Sequence, residues 1–328
     1  MKKIIFVCII AIIIIGCSSN GPTISSEDVY QGTDGLVVSF GKGNPPPEVF
    51  ENSAFYVVLE LANKGAYDIQ DGVLDINYPN PSFIEAADVN TKSDNILPLD
   101  NSKFQFQLPG RSELNVAGGQ DAIGIRMKTG AILATESQTA TISVNACYHY
   151  QSRATPVICI DTDPLGIRQG KKACEVQDVA DGNGQGAPVS VTNVEVKMIP
   201  SADANMVIPQ FKITIQNVGG GIVFNPNHPL YPCNLEPLNQ DEVDTLSDHV
   251  LVHAELSRGV QLDCDPTDDG KKDILLDMNQ KDVYVICSYP EGIPVEKGAF
   301  MSPLNIALDY GYQTSLSFPI TVKKISAS

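Results

Sequence analysis

His249 and His253 stand four residues apart, the spacing at which two imidazoles on one helical face can share a metal ion. The run that carries them, HVLVHAEL, alternates apolar and polar residues and therefore reads as a strand, in which four residues span ~13 Å at ~3.3 Å each. One zinc ion does not bridge that distance. His253 and Glu255 then share a strand face, which reads as a solvated face before it reads as a catalytic dyad. His149 lies between Tyr148 and Tyr150 and so points away from both, while His228 sits in the loop NPNHP; neither has a partner visible in the sequence.

Two acidic loops carry oxygen ligands of the kind calcium takes. Asp161 and Asp163 lie in CIDTDP, and Asp265, Asp268 and Asp269 in CDPTDDGKKD. The acids miss the positions of an EF-hand loop, and the plainer reading of each loop is a solvated turn. No GxSxG, HExxH or GxxxxGK[ST] motif occurs, so no residue is assigned a catalytic role and no cofactor is expected beyond calcium and the covalent lipid described below.

Cysteines supply the remaining chemistry. Beyond Cys8 and Cys17 there are six, Cys147, Cys159, Cys174, Cys233, Cys264 and Cys287. An even set without a CxxC pair points to disulfides in an exported chain. Cys159 and Cys174 enclose a short loop, whose closure contributes ~3 kcal/mol by chain entropy. Cys264 and Cys287 fall in QLDC and VYVIC, two strand-like runs that can be neighbours, which leaves Cys147 for Cys233. A rival pairs Cys147 with Cys159 across a hairpin closed at Arg153, and the sequence leaves both open.

The first residues, MKKIIFVCIIAIIIIGC, say where this chemistry takes place. Lys2 and Lys3 precede an apolar run from Ile4 to Ile15, an h-region in length. As a helix the run covers only ~18 Å of a ~30 Å hydrocarbon layer. Its end, Ile14-Ile15-Gly16-Cys17, resembles the lipobox of bacterial and some archaeal lipoproteins, in which the chain is cut before the cysteine and the sulfur carries the lipid. That resemblance implies a signal peptide over 1–16, lipidation at Cys17 and a membrane partner reached through the lipid. Residues 17–34 are polar and aperiodic and are expected to form a flexible tether of ~20 Å reach.

The body is acidic, with 39 Asp and Glu against 22 Lys and Arg and a formal net charge of −17. Such a surface repels phosphate backbones and anionic head groups, which argues against nucleic-acid partners and against a charge-driven membrane contact. Tryptophan is absent, which weakens a carbohydrate-binding reading.

These residues must be positioned by strands. LVVSF, AFYVVLELANKG, VLDINY, KFQFQL, AIGIRMK, ATISVNACYHY and TPVICI follow one another, each bounded by Gly, Pro, Asn or Asp, the pattern of a β-sandwich. Residues 161–188 turn rich in Asp, Gly and Lys, and the strand pattern restarts with VSVTNVEVKMI. The expected architecture is all-β, with two tandem immunoglobulin-like sandwiches at 35–160 and 189–325 and a Cys-containing linker at 161–188. The second repeats the first: Phe211, Ile213 and Ile215 take the places of Val57, Leu59 and Leu61, Asn217 and Gly219 those of Asn63 and Gly65, and Tyr310 and Tyr312 those of Tyr148 and Tyr150. The paired tyrosines are expected to pack and to hydrogen-bond the main chain.

A strand ending in Asn-x-Gly and a sandwich closing on Tyr-x-Tyr resemble immunoglobulin-like modules of the CARDB type, found in bacterial and archaeal surface proteins. The elements at Cys147–Tyr150 and Gly184–Val189 are similar to those of archaeal envelope lipoproteins. The resemblance covers most of residues 35–325 and implies display, adhesion or assembly at the cell envelope, beside another envelope protein, with no catalytic residues. The insertion FNPNHPLYPCNLEPLNQDEVDTLS, 224–247, departs from a minimal sandwich. It supports an alternative, a hydrolase or accessory subunit using His228 with Asp241, Glu242 or Asp244; a solute-binding lipoprotein is a third reading.

Overall fold

The computed structural model describes residues 26–78, 83–91, 93–133, 136–168, 170–233, 246–265, 273–280 and 282–325. The signal segment, Cys17, Asp268, Asp269, Asp241, Glu242 and Asp244 lie outside the described residues.

After a short helix α1 (Ser26–Val29) the first half contributes β1 (Leu36–Phe40), β2 (Glu48–Phe50), β3 (Ala54–Asn63), β4 (Ile69–Asn77) and β5 (Ile84–Thr91). It continues through β6 (Ile96–Pro98), β7 (Lys103–Leu108), β8 (Gln120–Thr129), β9 (Ser137–Ala154) and β10 (Val157–Asp161). The second half opens with β11 (Val179–Ala180), β12 (Val189–Pro200), β13 (Met206–Asn217) and β14 (Ile222–Phe224). It ends with β15 (His249–Leu256), β16 (Val260–Gln261), β17 (Asp263–Asp265), β18 (Ile274–Asp277), β19 (Asp282–Ser288), β20 (Ile293–Pro294) and β21 (Ala299–Lys323). Period-two patterning explains the layers: in β3, Phe55, Val57, Leu59 and Leu61 are buried while Tyr56 is exposed, and in β13 Phe211, Ile213 and Ile215 are buried.

The strands form three sheets, and the protein is all-β with a sandwich-like arrangement. One outer sheet runs β1-β3-β8-β5 and another β11-β12-β13-β19-β17, with β20 on β13. A third, shared sheet runs β16-β15-β21-β9-β4-β7-β6, with β2, β10 and β14 on β21 and β18 on β15. β9 and β21 pair antiparallel from Ala154 opposite Ile306 to Ser137 opposite Lys323, along all 18 residues of β9. One apolar cluster runs through both halves, from Leu36 to Val322.

Two expectations change here. Residues 161–188 do not alone connect the halves, because the β9–β21 ladder makes them parts of one sheet, and the linker itself enters the fold: Val179 and Ala180 pair with Val194 and Asn193. The tether is not free over its described part. Val29 is buried, and Arg111 Nη2 donates to the carbonyls of Val29, at 2.6 Å, and Gln31. Gly32 accepts from Gly186 N–H at 2.8 Å and donates to Asn183 O at 2.7 Å. A polar, aperiodic segment finds partners as readily in a neighbouring loop as in water, and periodicity does not report that choice.

Candidate functional site at the seam of the halves

The register of β9 against β21 gathers four tyrosines on one face. Tyr148 lies opposite Tyr312 and Tyr150 opposite Tyr310, and residues two apart share a face. All four are buried. Ring centroids are 5.5 Å apart for Tyr148–Tyr150, 5.9 Å for Tyr148–Tyr312, 6.3 Å for Tyr150–Tyr310 and 6.1 Å for Tyr310–Tyr312, within the contact range of aromatic pairs.

Each hydroxyl meets the main chain. Leu36 N–H, at the head of β1, donates to Tyr148 at 3.3 Å, and Val189 N–H, at the head of β12, donates to Tyr310 at 3.4 Å. Tyr150 donates to Asn63 Oδ1 at 3.1 Å and accepts from Tyr67 N–H at 3.4 Å. Tyr312 donates to Asn217 Oδ1 at 3.1 Å and accepts from Gly221 N–H at 2.8 Å. The asparagines complete the match, Asn63 Nδ2 donating to Tyr67 O at 2.7 Å and Asn217 Nδ2 to Gly221 O at 2.9 Å. The repeat in the sequence is therefore a repeat in space, with its two copies related about the pair His149–Gly311 of the β9–β21 ladder. Gly65 and Gly219 are required by it: a Cβ on Gly65 would collide with the Tyr150 hydroxyl, and one on Gly219 with that of Tyr312.

Burial pushes the Tyr148 and Tyr310 hydroxyls far above the ordinary phenol range, and it raises Tyr150 and Tyr312 as well. Neutral, enclosed and bonded to backbone, these phenols act as pins between layers, not as acids or bases near neutral pH.

The opposite face of the seam carries Cys147, His149, Gln151 and Asp309. Gln151 Nε2 donates to Asp309 Oδ1 at 2.8 Å, and His149 Nε2 lies 3.6 Å from the same oxygen. Burial opposes charge on Asp309, but the hydrogen bonds from His149 and Gln151 outweigh it and hold the carboxyl below its usual range. Cys147 bonds Cys233 in the short turn Tyr231–Cys233, whose carbonyl also accepts from buried Lys103 Nζ at 2.7 Å. The described part of the 224–247 insertion is thus fixed across the seam to the first half; His228 N–H donates to Asn225 O at 3.0 Å, and Asn225 N–H donates to Leu246 O at 2.8 Å.

The other disulfides are Cys159–Cys174 and Cys264–Cys287. Cys147 is therefore joined to Cys233 and not to Cys159. Asp161 and Asp163 share one loop, but their oxygens are engaged. Lys172 Nζ stands 2.5 Å from Asp161 Oδ2, Asp163 N–H donates to Asp161 Oδ1 at 2.9 Å, and Ile167 and Arg168 N–H donate to Asp163, each at 2.9 Å. Asp265 is exposed at the end of β17. His249 and His253 share the half-exposed face of β15 and have no common partner among the described residues. His249 Nδ1 meets the Ser247 carbonyl, while His253 Nδ1 lies 2.6 Å from Asp273 Oδ1 and its Nε2 3.8 Å from Glu255. Among the described residues no group of three or more His, Cys, Asp and Glu is placed to hold a metal ion, and no helix is long and apolar enough to cross a membrane.

Sequence reasoning missed Arg111, Lys103 and Asp309. Asp309 carried the only readable signal, since it immediately precedes the Tyr310–Tyr312 repeat.

No protein-family model matches the chain, and no curated protein is similar to it in sequence. Among solved structures, the sixth cohesin of scaffoldin B from Acetivibrio cellulolyticus, crystallised with a Cel5 dockerin, is similar at 13% identity and a TM-score of 0.24, over 35% of this chain and 86% of that one. The serine-rich repeat adhesion glycoprotein Srr1 from Streptococcus agalactiae is similar at 8% identity and 0.19, over 92% and 98%. The CupB6 tip adhesin of Pseudomonas aeruginosa is similar at 11% identity and 0.19, over 90% and 98%. At these scores the likenesses carry no argument about function.

Proposed function

We propose that the protein is an extracytoplasmic lipoprotein, anchored through Cys17, that serves the cell envelope as a rigid structural or adhesive module and holds another envelope protein, without catalysing a reaction. The observation that carries this reading is the seam. Two sandwiches share one sheet through the whole of β9, their tyrosines are pinned to both outer sheets, and the Cys147–Cys233 bond crosses from one half to the other. A fold fixed in this way holds surfaces at constant spacing, which display and adhesion require. Three disulfides fit an oxidising compartment, and the lipobox-like end of the apolar leader supplies the anchor.

Fractionation of cells expressing the chain and its Cys17→Ala variant tests the reading. The parent is expected in the membrane fraction and the variant in the soluble extracytoplasmic fraction; a variant that remains membrane-bound overturns anchoring through Cys17. Loss of cell adhesion or of envelope integrity on deleting the gene is expected, restored by the parent and not by the variant.

A further inference from the structure

The hollows of the described surface differ in charge. Those of about 660 and 360 Å³ flank Arg153 beside the N-terminal segment, and each includes an aspartate, Asp181 in the first and Asp68 in the second. A third, of about 600 Å³, opens at one end of the second sandwich, between Ile160 and Leu256 of the shared sheet and Ile293 of the facing sheet. Those three residues are buried members of the core, so the hollow is a continuation of the core toward solvent. Its lining includes two cations, Arg258 and Lys297, and no acid. In a chain with 39 acidic and 22 basic residues this is an exception, and neither cation has a carboxylate within ion-pair distance among the described residues.

Both cations sit on fixed turns. Arg258 occupies the left-handed region at φ 70°, where an L side chain costs roughly 1–2 kcal/mol, although glycine or asparagine would fit without that cost. Its turn is tied to β21 by buried Ser302, whose hydroxyl donates to Ser257 Oγ at 3.1 Å. Lys297 ends a short turn whose Val295 carbonyl accepts from Thr162 Oγ1 at 2.8 Å and whose Val295 N–H donates to Asn205 O at 2.9 Å. An apolar hollow of ligand size with two cations at its rim and no acid in its lining matches an amphiphile with an anionic head.

We propose that this hollow binds a free long-chain carboxylate, its chain against Val260, Phe300 and Met301, the apolar lining residues open to solvent, and its head group on Arg258 and Lys297. The proposal does not depend on the anchoring at Cys17. To test it, the full chain in lipid nanodiscs is photolabelled with a diazirine-bearing dodecanoate and digested. Label is expected to saturate on peptides spanning 256–260 and 289–302, with dodecanoate competing about tenfold better than dodecanol, the effect of one charge-assisted contact. Arg258→Asn, which suits the left-handed turn, and Lys297→Gln, at an exposed position, are each expected to weaken capture several-fold without lowering Tm. Label that does not saturate, that dodecanol displaces as well as dodecanoate, or that both variants retain in full overturns the proposal.

Discussion

At position 149 of the first half stands a histidine, and at position 311, its counterpart in the repeat, a glycine. Two residues earlier the counterparts are Cys147 and Asp309. On the inner face the halves agree group for group: Tyr148 and Tyr310 on the heads of β1 and β12, Tyr150 and Tyr312 on Asn63 and Asn217. On the outer face they part. His149 and Gln151 hold Asp309, whereas Gly311 leaves room for Pro229, whose Cα a Cβ there would crowd at 2.6 Å, and Cys147 takes the insertion's Cys233. The difference separates two demands on the same strands. The inner face must fill a closed space and satisfy buried hydroxyls, which admits few solutions; the outer face meets whatever the loops bring.

The comparison can be broken most forcefully at the inner face. Tyr150→Ala and Tyr312→Ala are each expected to cost about 3–5 kcal/mol, and calorimetry is expected to show one transition for the whole chain in each case. Two separated transitions would mean that the halves do not share a core. Next in size is the outer-face bond: replacing Cys147 and Cys233 together by serine is expected to cost roughly 4.6 kcal/mol by chain entropy, more than the roughly 3 kcal/mol for Cys159 with Cys174, whose loop is shorter. Denaturant melts of the two pairs decide the order.

A finer test compares Tyr310→Phe with Tyr148→Phe. Tyr310 meets Ser152 Oγ at 2.8 Å as well as Val189 N–H, so its loss is expected to cost about 2 kcal/mol against about 1 kcal/mol for Tyr148.

Alkaline titration addresses both halves at once. The folded state raises the tyrosine pKa values above the unfolded value of about 10, so it keeps protons that the unfolded chain releases. Stability contributed this way is complete below about pH 10 and is lost as pH climbs beyond it. Phenolate absorbance of the four tyrosines is expected to rise together with unfolding, not ahead of it. The smallest effect belongs to the exposed pair Lys323–Glu48, at 2.7 Å, where Lys323→Ala is expected to cost under about 1 kcal/mol.

The sandwich layers and the repeat were legible because they rest on local patterning: alternation in β3 and β13, Asn-x-Gly at their ends, Tyr-x-Tyr in β9 and β21. The union of the halves was not. It depends on a register that sets Tyr150 against Tyr310, 160 positions away, and alternation within a strand does not name the strand beside it. Arg111 was equally silent, since its role is set by carbonyls that a folded N-terminal segment brings to it. The hollow at Arg258 and Lys297 assembles residues from five strands and three turns, each unremarkable in its own stretch.

The clamp of Arg111 on Val29 and Gln31 also determines how tension would enter the molecule. From Ser26 onward the chain leads into β1, whose Leu36 N–H meets Tyr148 of the shared sheet, and β1 is held along all five residues by β3. A pull along that strand loads its ladder in shear, so the rungs resist together instead of parting one after another.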